Sequence, residues 1–268
     1  MQEPSFCRTV GLQIAVSHVI VCFVAVRDRI ESQQKKYRKG VIDMKKYVKR
    51  GLAFLLSCTV LLAAGCGEKF DASGYTKAVL DAGTRGETEK YEEFTKSSKE
   101  EAKKQYDNFI DTEMQEFEAL GVSEELLTKY KEYVASLLKE TKYEVGEAKE
   151  DEDENFTVEV SVQPIKVFDG VKDTLNQKVQ EYTAQVEQAA MQNQQVPSDQ
   201  EITETIGQML YETLNGTLAN LSYGEAVKKV VHVKETAEKN VWEIPETEAR
   251  ELFLSLLDMT GVEEIANP

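Results

Sequence analysis

Side chains that could act as nucleophiles or metal ligands are few, and they lie unevenly along the chain. The four cysteines, Cys7, Cys22, Cys58 and Cys66, fall within the first 66 residues, and beyond them the sequence has a single histidine, His232. A Cys–His pair, or a zinc site built from cysteine and histidine, therefore cannot form after Cys66. The same part of the chain lacks the Gly-x-Ser-x-Gly sequence of a nucleophile elbow. We accordingly predict no catalytic residue and no metal site.

An acidic run, Asp151-Glu152-Asp153-Glu154-Asn155, begins like a calcium-binding loop. Phe156 stands where such a loop needs a glycine for its turn, and Val162 stands where it needs a bidentate glutamate. We therefore interpret the run as the solvated turn of a β-hairpin, with weak binding of a divalent cation as the open alternative. No cofactor is expected.

Cys66 ends a segment that has three parts. Residues 44–50 are basic, residues 51–62 are apolar, and Ala63-Ala64-Gly65-Cys66 places small residues before the thiol. These are the three parts of a secretory signal. The apolar part is too short for a bilayer core of about 30 Å, which needs about 20 residues.

The Ala63-Ala64-Gly65-Cys66 sequence resembles the lipobox of bacterial lipoproteins, although Ala63 stands where that family prefers leucine. The resemblance implies that the Cys66 thiol receives a diacylglyceryl group and that cleavage between Gly65 and Cys66 makes Cys66 the first mature residue. The alternative is cleavage by the ordinary signal peptidase, with Cys66 incidental. The lipobox is favoured because the basic flank, the short apolar part and the cysteine coincide. It predicts a lipid anchor in the cell membrane, on the extracytoplasmic face.

Residues 1–43 precede this signal, and two interpretations of them are open. An apolar run over residues 10–26, followed by basic residues, is compatible with a transmembrane helix. Alternatively, translation starts at Met44, because Lys39-Gly40-Val41 back-translates to a ribosome-binding sequence at a normal spacing from Met44. We favour the second interpretation, in which 44–65 is the signal peptide and 66–73 is the lipidated cysteine with a short tether.

The net charge changes sign at the same place. Residues 1–65 contain 11 basic and 4 acidic side chains, a net charge of +7, whereas residues 66–268 contain 21 and 44, a net charge of −23. The acidic part cannot neutralise phosphates along a groove, which argues against a nucleic-acid partner. An anionic bilayer would also repel it, so attachment to a membrane needs the lipid.

The spacing of apolar residues after Cys66 predicts helices, a β-hairpin, helices, a second hairpin and a final helix. Helical spacing is found in residues 74–82, 87–96, 99–120, 123–138, 171–190, 198–221 and 246–258. Alternation of apolar and polar residues is found in residues 143–145, 156–162, 227–234 and 241–244. Ser98 and Glu101 form a predicted capping box, and Gly121 a predicted C-cap. The order predicts a helix-rich α+β fold, with helical hairpins packed on an antiparallel sheet of about four strands in one acidic domain, residues 74–262.

From Cys66 onward the chain resembles the small surface lipoproteins of Gram-positive gut bacteria. The resemblance lies in the lipobox, the Phe70-Asp71-Ala72-Ser73-Gly74-Tyr75 opening, the Lys/Glu-rich helices and the closing Trp242-Glu243-Ile244. That family brings no known active residues. The resemblance implies an extracytoplasmic domain held by the lipid on Cys66.

We expect a non-enzymatic module of the cell envelope that binds a protein, a peptide or a small ligand. One alternative is the solute-binding component of an importer, but the absence of an alternating βαβ pattern argues against it. The other alternative is an envelope enzyme or foldase.

Amphipathic aromatic side chains favour half-exposed sites. The candidate ligand cleft is therefore lined by Tyr75, Tyr91, Phe94 and Trp242.

Overall fold

The fold is that of a computed structural model, which describes residues 70–152, 155–236 and 241–260. The helices in these ranges are α1 (Ala72–Arg85), α2 (Glu89–Thr95), α3 (Lys99–Ala119), α4 (Glu124–Lys139), α5 (Val171–Met191), α6 (Asp199–Thr217) and α7 (Glu246–Leu254). The strands are β1 (Lys142–Val145), β2 (Lys149–Glu150), β3 (Phe156–Gln163), β4 (Val227–Glu235) and β5 (Trp242–Glu243). A 3₁₀ turn, Leu218–Asn220, follows α6.

All strand pairs in the sheet are antiparallel, and the order across it is β1-β3-β4-β5. The short strand β2 also pairs with β3. The register places Val145 opposite Val160, and Val158 opposite Val231. Both predicted hairpins and the helix-rich α+β class are therefore confirmed.

One face of the sheet is buried and the other is open to solvent. Along β3, Phe156, Val158, Val160 and Val162 are buried and alternate with more exposed residues. This alternation with period two is what a sheet with one covered face requires. Helices α1 and α7 contribute to the same apolar cluster as the buried strand residues, so they cover that face.

The apolar core has two parts. The first lies between the sheet, α1 and α7, and the second lies among α3, α4, α5 and α6. Phe117 of α3 and Tyr130 of α4, whose ring centroids are 4.4 Å apart, are buried in the second part. Helix α1 contacts both β3 and α4, so it lies where the two parts of the core meet.

The start of α3 is fixed by the capping box that the sequence predicts. Ser98 Oγ accepts a hydrogen bond from the Glu101 amide, and the Ser98 amide donates to Glu101 Oε2. Two amide groups that the helix leaves unpaired are satisfied in this way. Gly121, with φ +79°, follows the last turn of the helix, as expected.

Helix α1 is longer than predicted. The predicted helix ends at residue 82, but the observed helix continues through Gly83 to Arg85. Gly83 is buried, and a Cβ atom there would lie 2.7 Å from Phe253 Cζ. This glycine therefore permits close packing of α1 on α7, and it is Gly86, with φ +68°, that ends the helix.

Helix α7 is shorter than the predicted 246–258, because the chain leaves the helix to pair with residue 165. The Ile165 amide donates to the Leu256 carbonyl at 2.9 Å, and the Asp258 amide donates to the Ile165 carbonyl at 2.9 Å. The apolar pattern over residues 255–258 thus reflects burial beside Ile165 rather than another helical turn.

Candidate functional site

Aromatic rings meet at the point where the described chain begins. We call Phe70, Tyr75, Phe94, Phe156 and Trp242 the aromatic cluster. The Phe70 and Trp242 rings are stacked, with centroids 4.9 Å apart and planes 4° from parallel. Phe70 also lies 5.7 Å from Tyr75, and 6.0 Å from both Phe94 and Phe156, between ring centroids. Phe70 thus contacts rings from α1, α2, β3 and β5.

The first turn of α1 holds Phe70 in place. Asp71 caps the helix by accepting a hydrogen bond from the Gly74 amide at 2.8 Å. A Cβ atom on Gly74 would lie 2.2 Å from Asp71 Oδ2 and 3.1 Å from Phe94 Cζ. A glycine at this position is therefore needed both for the cap and for the approach of Phe94.

The four residues of the predicted ligand cleft lie in one region. Tyr75, Tyr91 and Trp242 are buried, and Phe94 packs against the same apolar cluster. Tyr75 and Phe94 are in edge contact, with ring centroids 5.8 Å apart. Their role in ligand binding remains a prediction, and in this structure the rings of Tyr75, Phe94 and Trp242 each pack on Phe70. Phe70 was missed because an isolated phenylalanine before a helix has no periodic pattern to mark it.

The Trp242 indole N–H is a buried polar group within this cluster. Its side chain is 6% exposed, and in the described part of the chain no acceptor lies within hydrogen-bonding distance of Nε1. A buried indole N–H without an acceptor costs stability. Stacking with Phe70 and the contact with Phe156, 5.2 Å between ring centroids, compensate through apolar burial.

A second group of polar side chains joins α1 to β1. The Asp81 carboxylate accepts hydrogen bonds from Tyr143 Oη at 2.6 Å and from Arg85 Nη1 at 2.8 Å, and it pairs with Lys77. Arg85 also lies over the Tyr143 ring, 4.7 Å from its centroid. Burial, and secondarily the hydrogen bond to Asp81, raise the pKa of Tyr143 well above its usual value. These contacts satisfy a buried carboxylate, and they hold β1 against α1.

His232 contacts one acidic side chain, Glu248 of α7. The His232 amide donates to Glu248 Oε2 at 2.6 Å, and His232 Nδ1 lies 3.0 Å from Glu248 Oε1. The carboxylate therefore satisfies a backbone group on the open edge of β4, beyond the end of its pairing with β5. Covering an edge amide in this way hinders pairing with another chain.

In the acidic segment after β2, the Asp151 carboxylate accepts a hydrogen bond from the same segment. The Asn155 amide donates to Asp151 Oδ1 at 3.0 Å, and the Glu235 amide donates to Asn155 Oδ1 at 3.2 Å. Asp153 and Glu154 lie outside the described residues. Among the residues that are described, no group of three or more histidine, cysteine, aspartate or glutamate side chains could hold a metal ion.

Gly65, Cys66 and the signal segment lie outside the described residues, and so do residues 1–43. Within the described ranges, no helix combines the length and the apolar character needed to cross a membrane.

No protein-family model matches the chain, and no curated protein matches it. Among solved structures, the chain is similar to the crystal structure of "a putative lipoprotein (ycdA)" from Bacillus subtilis, with a TM-score of 0.50 and 16% sequence identity. The similarity covers 70% of this chain and 56% of that chain, so this chain spans little more than half of its length. At this identity the two proteins share a fold. The α+β arrangement is therefore found in a protein that is described as a lipoprotein.

Proposed function

We propose that this protein is an extracytoplasmic lipoprotein, anchored in the cell membrane through a diacylglyceryl group on Cys66, and that it acts as a non-enzymatic binding or interaction module of the cell envelope. The sequence motif and the fold support the anchor independently. The lipobox-like residues end at Cys66, and the described fold resembles that of a protein named as a lipoprotein.

The observation that carries the proposal is how soon the fold begins after the cysteine. Phe70 is four residues after Cys66, and it is already packed into the aromatic cluster. A helix cap at Asp71 follows at once. Cleavage before Cys66 would therefore remove the signal without removing any part of the described fold.

The contacts of the polar side chains support a role in binding rather than catalysis. The Asp81 carboxylate pairs with Lys77 and Arg85 of the same helix, and it accepts a hydrogen bond from Tyr143, which joins α1 to β1. His232 and Glu248 cover a strand edge. Each of these groups thus stabilises the fold. We therefore expect the exposed surface of the domain to be the part that contacts an envelope partner.

Incorporation of a fatty acid tests the anchor. Cells that make the wild-type chain, Cys66→Ser or Cys58→Ser are grown with an alkyne-bearing fatty acid, and the protein is probed for the label. We expect label in the wild type and in Cys58→Ser, because Cys58 leaves with the signal, and no label in Cys66→Ser. Equal labelling of Cys66→Ser, or an unlabelled wild-type protein, would refute the proposal.

A further inference from the structure

We infer that the protein stands on the membrane in a fixed orientation, with the aromatic cluster facing the lipid headgroups and the tip of the α5–α6 hairpin held away from them. This inference rests on the proposed anchor at Cys66. It assigns the bilayer as the surface next to Phe70 and the first residues of β3 and β5, a region that we call the proximal end.

The proximal end is defined by contacts of Phe70. Phe70 packs against Phe156, the first residue of β3, and stacks on Trp242, the first residue of β5. The first residues of these two strands therefore lie beside it. The hydrogen bond from the Glu235 amide to Asn155 Oδ1 links the end of β4 to the residue before β3.

The tether limits how far the proximal end can move from the bilayer. Four residue steps separate Cys66 from Phe70, and a fully extended chain covers at most about 3.6 Å per step, or about 14 Å in total. Phe70 is held by rings from four elements, so its separation from Cys66 along the chain sets the greatest distance of this part of the fold from the lipid. A tether this short keeps the proximal end, rather than another surface, next to the headgroups.

Helix α3 leads from the proximal end to the opposite end of the molecule. It starts at Lys99, five residues after Phe94 of the aromatic cluster, and its 21 residues span about 31 Å. Near its end, the Gly121 carbonyl accepts a hydrogen bond from the side chain of Gln200, in the first turn of α6. The α5–α6 connection, which immediately precedes α6, thus lies at the far end.

The two ends differ in chemistry. Residues 188–198, which form the tip of the α5–α6 hairpin, contain no charged side chain, and Met191 and Val196 are 75% and 41% exposed. Exposed Asp71, Glu150 and Asp151 at the proximal end are acidic. An anionic bilayer repels this end, so the lipid and the short tether, rather than charge attraction, hold it near the surface.

Labels at three heights test the orientation. Single cysteines are introduced as Glu152→Cys at the proximal end, Gln195→Cys at the tip, and Glu132→Cys at mid-height, next to Lys131, which pairs with Asp111 in the middle of α3. The purified lipidated chains carry a donor dye and are placed in vesicles with headgroup-labelled acceptor lipids. Diacylglyceryl modification blocks the Cys66 thiol, so one dye per chain also reports that the anchor is present.

We expect energy transfer to fall in the order Glu152→Cys, Glu132→Cys, Gln195→Cys, with about a threefold difference between the extremes, because about 31 Å of helix separates them. A ten-residue Gly/Ser insertion between Lys69 and Phe70 is expected to remove the order. Equal transfer at the three sites, a reversed order, or an order that survives the insertion would overturn the inference. Two dyes per chain, or chains that do not bind vesicles, would instead contradict the proposed anchor.

Discussion

Two buried tyrosines and one partly buried tyrosine make the stability of the fold sensitive to alkaline pH. Burial raises the pKa of Tyr130, Tyr133 and Tyr143 above the usual value of 10. Above pH 10 the unfolded chain loses these protons while the folded chain keeps them, so the folded chain binds more protons. The stabilisation is therefore fully present below pH 10 and is lost as the pH rises further.

We predict that the free energy of unfolding falls steadily above pH 10 and that the buried tyrosines ionise only as the protein unfolds. Urea unfolding at a series of pH values, followed together with the ultraviolet absorbance of tyrosinate, measures both effects. Tyr133→Phe should reduce the alkaline loss, because one buried phenol is removed while the hydrogen bond from Tyr143 to Asp81 stays. Ionisation of every tyrosine near pH 10 with the fold intact would contradict the assignment.

At the level of elements, sequence patterns predict what depends on local chemistry. The capping box of Ser98 and Glu101 and the alternating valines of β3 were predicted, because the first needs only a side chain three residues away and the second only one covered face of the sheet. The continuation of α1 through Gly83 was not predicted, because the glycine is needed for close contact with Phe253, which is far away in the sequence. The early end of α7 has the same kind of cause, since pairing with Ile165 is a long-range contact. The packing of Phe70 in the aromatic cluster was missed for this reason too.

Gly83 and Gly216 form a matched pair for testing this explanation. Both lie in helices, where replacing glycine by alanine stabilises by about 0.5–1 kcal/mol when space is free. A Cβ atom on Gly216 meets nothing within 4 Å, whereas one on Gly83 meets the Phe253 ring. We predict that Gly216→Ala stabilises the protein and that Gly83→Ala destabilises it by about 1–3 kcal/mol through overpacking. Chemical denaturation of both variants checks the signs, and stabilisation by Gly83→Ala would show that α1 and α7 are not in close contact.

At the scale of the whole molecule, the chain changes character at Cys66. Residues 44–65, directly before it, have the sequence features of a signal, and the acidic part after it contains the described fold. The sequence predicts this division from charge, apolar length and small residues, which are local features, and the division stays a prediction. It did not predict which end of the fold the tether meets, because that depends on the packing of Phe70 on Trp242.

The state of the mature N-terminus tests the central claim most directly. Tryptic digestion of protein isolated from membranes should release Cys66-Gly67-Glu68-Lys69 as the first peptide, and mass spectrometry should find a diacylglyceryl group on the cysteine. Translation from Met44 further predicts that no peptide from residues 1–43 is found in whole cells. An unmodified Cys66, or a mature chain in which Gly65 is still joined to Cys66, would contradict the account.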